Sequence, residues 1–221
     1  MPGDPLNHPR DTGGIENIIE LFNCLIDGKN TAYVSVPITT GHRFLGWYKQ
    51  EGCKLDPGSI PYKEAHARAV IQPNIADAKQ KIIELRHRCQ PGYPVLIDPS
   101  AFNWPEWTQD DYRYFWGKVI EHYVKTVIFL PGWQYSNGCA FEFLTAVLSG
   151  ADTLDERLAV IAPQAGLDAV NVAIKELYES AAPSGYSVYL KRVADELGTY
   201  ISREGQRPVC LDSLFETWLG A

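Results

Sequence analysis

The sequence predicts an α/β fold: a flavodoxin/Rossmann-like parallel sheet flanked by helices, with extra C-terminal helices. Three observations lead there. Short apolar runs of strand character, Thr31 to Ile38, Pro94 to Ile97 and Val127 to Leu130, alternate with segments whose apolar residues recur at helical spacing. A helix between two such runs is a βαβ unit, which favours parallel pairing. Each run ends in a polar or Gly-containing turn, Thr39-Thr40-Gly41, Asp98-Pro99-Ser100 or Pro131-Gly132. Open parallel sheets hold ligands at such turns. The reading divides the chain into an arm and helix over 1–30, an α/β domain over 31–165 and a helical extension over 166–221.

The elements follow in order. Residues 1–14, rich in Pro and Gly, read as a loose arm. Ile15 to Asp27 has Ile15, Ile19, Phe22 and Ile26 at helical spacing, and Gly28 stops it. After the first strand, residues 44–63 look irregular, punctuated by Gly46, Gly52, Pro57, Gly58 and Pro61. Trp47 and Tyr48 within them either fold onto the core or line a lid. Glu64 to Gln72 and Asn74 to Cys89 are helical, broken or bent at Pro73. Thr108 caps the next helix, with Asp110 and Asp111 in its first turn. Phe115, Trp116, Val119, Ile120 and Tyr123 form its core stripe. Arg157 to Ile161 reads as a further strand, and Gly166 to Ala181 and Gly185 to Leu197 as helices. The apolar tail, Val209 to Leu219, has the composition of a segment that covers a partner subunit.

Composition excludes several classes. The 221 residues suffice for one full core plus decoration, and 21% charged with 45% hydrophobic residues is ordinary for a globular chain. Net charge is −7, and no basic cluster occurs beyond Arg86-His87-Arg88 at a helix end, so a nucleic-acid polymer is not the expected partner. No apolar run approaches the ~18 residues of a membrane span. Five cysteines form no Cys-x-x-Cys pair, and no histidines stand at metal-ligand spacing, so neither metal nor cofactor is expected. The start, Met1-Pro2-Gly3-Asp4, lacks the apolar core of a secretory leader, and the expected location is cytoplasmic.

The most informative stretch runs from Phe129 to Glu142. A buried strand, a Gly-containing loop and a helix follow one another, and the helix start offers free N–H groups to an anion. Glu142 falls about one turn inside that start, where the dipole favours the ionised form a carboxylate nucleophile needs. The competing reading is a first-turn acid of purely structural value. Cys139 beside it is the buried, inert kind of thiol. Asp98 stands at the same sheet edge, either as an acid or ribose ligand or as a turn cap. Trp104 and Trp107, in an aromatic-rich segment, are candidates for stacking on a base.

Ser136-Asn137-Gly138-Cys139-Ala140-Phe141-Glu142 resembles the Ser-x-Gly-x-x-x-Glu segment of the nucleoside 2-deoxyribosyltransferase-like superfamily. Leu130-Pro131-Gly132-Trp133 resembles the motif that precedes the Ser in a nucleotide N-glycosidase branch of that group. The resemblance covers roughly residues 31–150. It implies that Glu142 attacks the anomeric carbon of a nucleoside or nucleoside 5′-monophosphate while the base leaves. It implies that Ser136 helps hold the 5′-phosphate, that Asn137 and Gly138 beside it belong to the substrate site, and that Tyr33 lies near the nucleophile. Val36-Pro37-Ile38-Thr39-Thr40-Gly41 aligns with the family's first turn, so Ile38, Thr39 and Gly41 would line the sugar or phosphate side. His42 and Arg43 are then the nearest cations for a phosphate, against a solvated-loop reading of Arg43. The family's acid has no counterpart at its usual spacing, where Lys118 stands; Asp111 is the nearest substitute and Asp98 its competitor. The resemblance also implies a homodimer or higher homo-oligomer. Two other functions stay open: a non-catalytic nucleotide-binding or signalling module, and an NAD-cleaving enzyme.

Overall fold

The computed structural model describes residues 13–26, 30–89, 92–102, 104–180, 184–203 and 211. The expected arm ahead of residue 13 and most of the apolar tail fall outside these residues. The fold is α/β, with a Rossmann-like parallel sheet and additional C-terminal helices.

Four strands, β1 (Thr31–Ser35), β2 (Val95–Ile97), β3 (Thr126–Phe129) and β4 (Asp152–Asp155), form one sheet in the order β2-β1-β3-β4. Every neighbouring pair is parallel; Tyr33 lies beside Ile97 on one side and Val127 on the other. Strand order reverses at β1, so a crevice opens beyond the carboxyl ends of β1 and β3.

Side chains alternate across the sheet with period two. Ala32, Val34 and Ile128 face α4 (Gln72–Cys89), which buries Ala78, Ile82 and Leu85 against them. Tyr33, Val127 and Phe129 face the opposite layer, α5 (Gln109–Tyr123) and α6 (Asn137–Ser149). The N-terminal helix α1 (Gly13–Ile26) packs on α5, with Phe22 edge-on to Phe115 at 5.4 Å between ring centres. The outermost layer is α7 (Pro163–Glu179) and α8 (Ser184–Ser202), whose Val170, Leu177, Leu190 and Leu197 are buried in the same core as α6.

Three expectations need correction. Residues 44–63 are ordered into α2 (His42–Gln50), a short turn of 3₁₀ helix at Gly52–Lys54 and α3 (Ile60–His66). Phe44, Trp47 and Tyr48 stand at i, i+3 and i+4 on α2 and are buried together with Tyr62. Gly52 permits this packing, because a Cβ there would lie 2.8 Å from the Trp47 ring. Pro73 does not break its helix. The backbone widens into a π-helical turn over Ala67–Ile71 immediately before it, which accommodates the missing N–H and the bulk of the ring. The fourth strand is Asp152–Asp155, upstream of the predicted Arg157 to Ile161. The Asp155 carboxylate accepts from the N–H groups of Arg157 and Ala159, at 2.9 and 2.8 Å, and turns the chain back along β4. This strand escaped the reading because its charged residues sit at a sheet edge, where they are tolerated.

Gly166 on α7 rests against Phe143 of α6; a Cβ there would fall 2.2 Å from two carbons of that ring. Phe143 is itself fully buried and stacked on Trp133 at 4.6 Å. Gly166→Ala is expected to destabilise the protein by about 1–3 kcal/mol, measured by urea denaturation. Adding Phe143→Leu should recover part of the loss. An unchanged midpoint for the single variant would show that α7 shifts freely on α6.

Candidate active site

The acid motif lands in the crevice. Ser136 is the N-cap of α6, its Oγ accepting from the Cys139 N–H at 3.3 Å. Glu142 is therefore the sixth helical residue, in the second turn rather than the first, and its side chain reaches back to the carboxyl end of β1. There Tyr33 Oη donates to Glu142 Oε1 at 2.7 Å and Ser35 Oγ donates to Oε2 at 2.6 Å. The period of a strand explains the pair: residues two apart on β1 share a face, and that face meets α6.

Electrostatics at this carboxylate differ from the expectation. The helix dipole was expected to keep Glu142 ionised, yet burial dominates and raises its pKa from 4.5 to about 7, against the lowering effect of Ser35 and Tyr33. What accessible surface it keeps opens onto the cavity. Burial, reinforced by the Glu142 charge, holds Tyr33 well above the usual phenol range, so it stays a donor. The same two causes push the Cys139 thiol upward, which leaves it protonated and inert.

Glu142 lines a cavity of about 430 Å³. Ile38, Thr39 and Thr40 of the β1–α2 turn form one side, and Ser136, Asn137 and Gly138 of the α6 start form another. All of these but Thr40 were expected from the sequence; Gly41, expected in its place, does not line this cavity. The facing wall was not expected. It comes from Gln109, Tyr112, Arg113 and Trp116, at i, i+3, i+4 and i+7 on α5, with Phe102 beside them and Tyr186 of α8. Trp116 packs against Tyr33 at 5.4 Å between ring centres. Thr40 Oγ1, Asn137 Oδ1 and Arg113 Nε, all on lining residues, are buried and have no hydrogen-bond partner among the described residues.

Other expected residues lie elsewhere. Asp111 is absorbed in a reciprocal capping box: its Oδ2 accepts from the Thr108 N–H and Oγ at 2.7 and 2.6 Å. It does not line the cavity. Asp98 caps the turn at Pro99–Ala101, accepting from the Ser100 N–H and Oγ. Pro99 and Phe102, not Asp98, reach the cavity. Trp104 and Trp107 stack on each other at 4.2 Å and pack edge-on against Phe115, so neither ring presents a face to a ligand in the cavity. Arg43 is turned to α4, where Asn74 and Asp77 accept from its guanidinium. Gly41 and Arg43 border a different cavity, of about 370 Å³, with Asn74, Asp77 and Lys81 of α4. The two cavities share Val36 and Thr40. Between them the β1–α2 turn is tied down by Asn74 Nδ2, which donates to the carbonyls of Ile38 and Thr40, and by a 2.8 Å contact from His66 Nε2 to the Thr39 carbonyl. Gly41 and Gly132, at φ 89° and 87°, bring the turns after β1 and β3 into contact; a Cβ on Gly132 would lie 3.1 Å from the His42 nitrogen.

A more open groove of about 480 Å³ between α7 and α8 borders none of these residues. Among the described residues no three His, Cys, Asp or Glu side chains gather as metal ligands would, and no helix is long and apolar enough to cross a membrane.

No family model, curated protein or solved structure matches the chain. The site's chemistry therefore rests on its own geometry and on the motif resemblance. Ser35 was missed although its spacing from Tyr33 was a usable signal. The Gln109–Trp116 stripe was also legible as spacing, but Trp116 was assigned wholly to the core. Nothing in the sequence pointed to Tyr186.

Removing either donor should raise the Glu142 pKa further, since the buried carboxylate then has one hydrogen bond fewer. Tyr33→Phe and Ser35→Ala are each expected to move its titration, followed by ¹³C NMR of the side-chain carboxyl, above about 7. A titration that stays in place in both variants would contradict the hydrogen-bonded arrangement.

Proposed function

We propose that the chain is an N-glycosidase that cleaves, or transfers, the base–sugar bond of a nucleoside or nucleoside 5′-monophosphate, with Glu142 as nucleophile. The observation that carries this reading is the Glu142 carboxylate, gripped by Tyr33 and Ser35 and opening onto an aromatic-walled cavity. Breaking an N-glycosidic bond builds positive charge on the anomeric carbon. A nearby carboxylate bonds to that carbon, and water or a second base then releases the sugar. Tyr33 and Ser35 fix the carboxylate's orientation. The resemblance of Ser136 to Glu142 to the nucleoside 2-deoxyribosyltransferase-like superfamily supports the same chemistry, and Ser136 at the cavity rim suits a 5′-phosphate over the α6 N-terminus. The superfamily resemblance also implies a homo-oligomer, and the unpaired cysteines suit a cytoplasmic location; light scattering and cell fractionation test the two.

One observation favours a second reading, a nucleotide-binding module without turnover: neither Asp98 nor Asp111 reaches the cavity as an acid. A nucleotide that binds and is recovered intact after hours would support it.

Glu142→Gln is expected to abolish base release, followed by chromatography of the free base, while the fold persists. Full activity in that variant would remove Glu142 from the mechanism. Because the nucleophile must be ionised, wild-type turnover should rise with pH through about 7. Stability runs the other way. The folded pKa lies above the unfolded one, so Glu142 favours the fold below about 4.5 and loses that contribution as pH rises through about 7. At pH 8 Glu142→Gln should therefore be more stable than wild type, by up to about 3 kcal/mol, with little difference at pH 4. Thermal melts at the two pH values test this.

A further inference from the structure

Arg113 and Glu142 are the only charged residues that line the cavity among those described. Arg113 is held on two sides. Its Nη1 donates to Asp110, and its guanidinium carbon sits 4.6 Å from the centre of the Tyr189 ring. Its Nε is buried and has no partner among the described residues. An unmet guanidinium N–H inside the protein is costly, and a ligand acceptor would relieve it. Trp116, on the same helix, contacts the ring of Tyr33, which donates to the carboxylate. Arg113 stands three residues earlier on α5, about 4.5 Å along the helix axis from Trp116.

Two features decide what this N–H meets. Asp110 already balances the Arg113 charge and would repel a phosphate dianion. The neighbours, Tyr112, Trp116, Phe102 and Tyr186, are aromatic and suit a flat ring. The α6 start remains for the anionic end of a substrate. Resting on the glycosidase reading above, we infer that Arg113 is a catalytic residue that donates a hydrogen bond to an exocyclic carbonyl oxygen of the departing base. The chain then acts on oxo-bases, of the kind found in uracil, thymine, hypoxanthine and guanine nucleotides, in preference to adenine.

The chemistry explains why an arginine takes the place of an acid. As the bond from the anomeric carbon to the base nitrogen breaks, its electron pair passes to the base, and Glu142 forms the new bond to carbon. In an oxo-base the pair delocalises onto the carbonyl oxygen, where Arg113 stabilises it without giving up a proton. Water then cleaves the glycosyl ester; its oxygen bonds to the carbon and its proton goes to the base anion. Adenine has no carbonyl and leaves well only when protonated on a ring nitrogen. Asp98 and Asp111 are committed to turn and helix caps, so neither supplies that proton.

The test measures base release from the 5′-monophosphates of hypoxanthine, uracil and adenine, alongside calorimetric binding of the three free bases. Wild type, Arg113→Lys and Arg113→Met are compared. Wild type is expected to favour the two oxo-bases by 10-fold or more in both readouts. Both variants should lose about 10- to 100-fold on the oxo-bases and less than about 3-fold on adenine. The lysine variant keeps the charge but not the Nε–H, so it separates hydrogen bonding from a lost cation. Equal handling of adenine, or an equal loss on all three bases, would overturn the inference. Arg113-dependent binding of oxo-bases with no release of any would uphold the recognition and sink the glycosidase reading. Absence of both binding and release overturns both.

Discussion

A carboxylate that water cannot fully solvate governs the rest of this molecule. Glu142 would prefer to be neutral where it sits, and the O–H groups of Tyr33 and Ser35 oppose that preference. The balance leaves the acid poised near neutrality instead of fully ionised. A strand supplies both donors from one face, and a capped helix supplies the acid, so three side chains meet from two elements of fixed geometry. Sites built on such elements hold their groups more tightly than sites built on loops. The arrangement costs stability whenever the acid ionises, a common property of reactive centres.

The walls around this acid come from parts of the chain with separate structural duties. One stripe of α5 serves the core through Phe115, Val119 and Ile120 and the cavity through Gln109, Tyr112 and Arg113. The helix α8 buries Leu190 and Leu197 yet turns Tyr186 toward the cavity and Tyr189 under Arg113. The C-terminal helix α8 is thus part of the site. On the other face of the sheet, α4 holds the β1–α2 turn through Asn74 and makes the neighbouring cavity that claims Gly41 and Arg43. The turn's position depends on both sides.

The candidate residues that lie outside the cavity share one physical cause. Asp98, Asp111, Trp104, Trp107 and Arg43 all carry groups suited to a ligand, and all find partners within the protein. Asp111 and Asp98 bond to backbone within three residues, the ordinary employment of acids near turns and helix starts. Trp104 and Trp107 satisfy each other. Residue type showed what these side chains were capable of, but whether a nearer partner had already used that capacity depends on local geometry.

Strand runs with period-two alternation, helical stripes and the Ser136–Glu142 spacing are local properties. From them the sequence by itself determined a parallel α/β fold, the position of the acid on a helix after a Gly-containing loop, and the Thr108 cap. Which groups surround that acid was decided only when distant segments met: Ser35 across 107 residues, the face of α5, and Tyr186 from the outer layer. Those contacts depend on how layers stack and on how much water they exclude, and a side chain's charge state follows from that exclusion. The helix dipole, readable from position alone, favoured an ionised Glu142; desolvation, which exists only in the assembled interior, outweighed it.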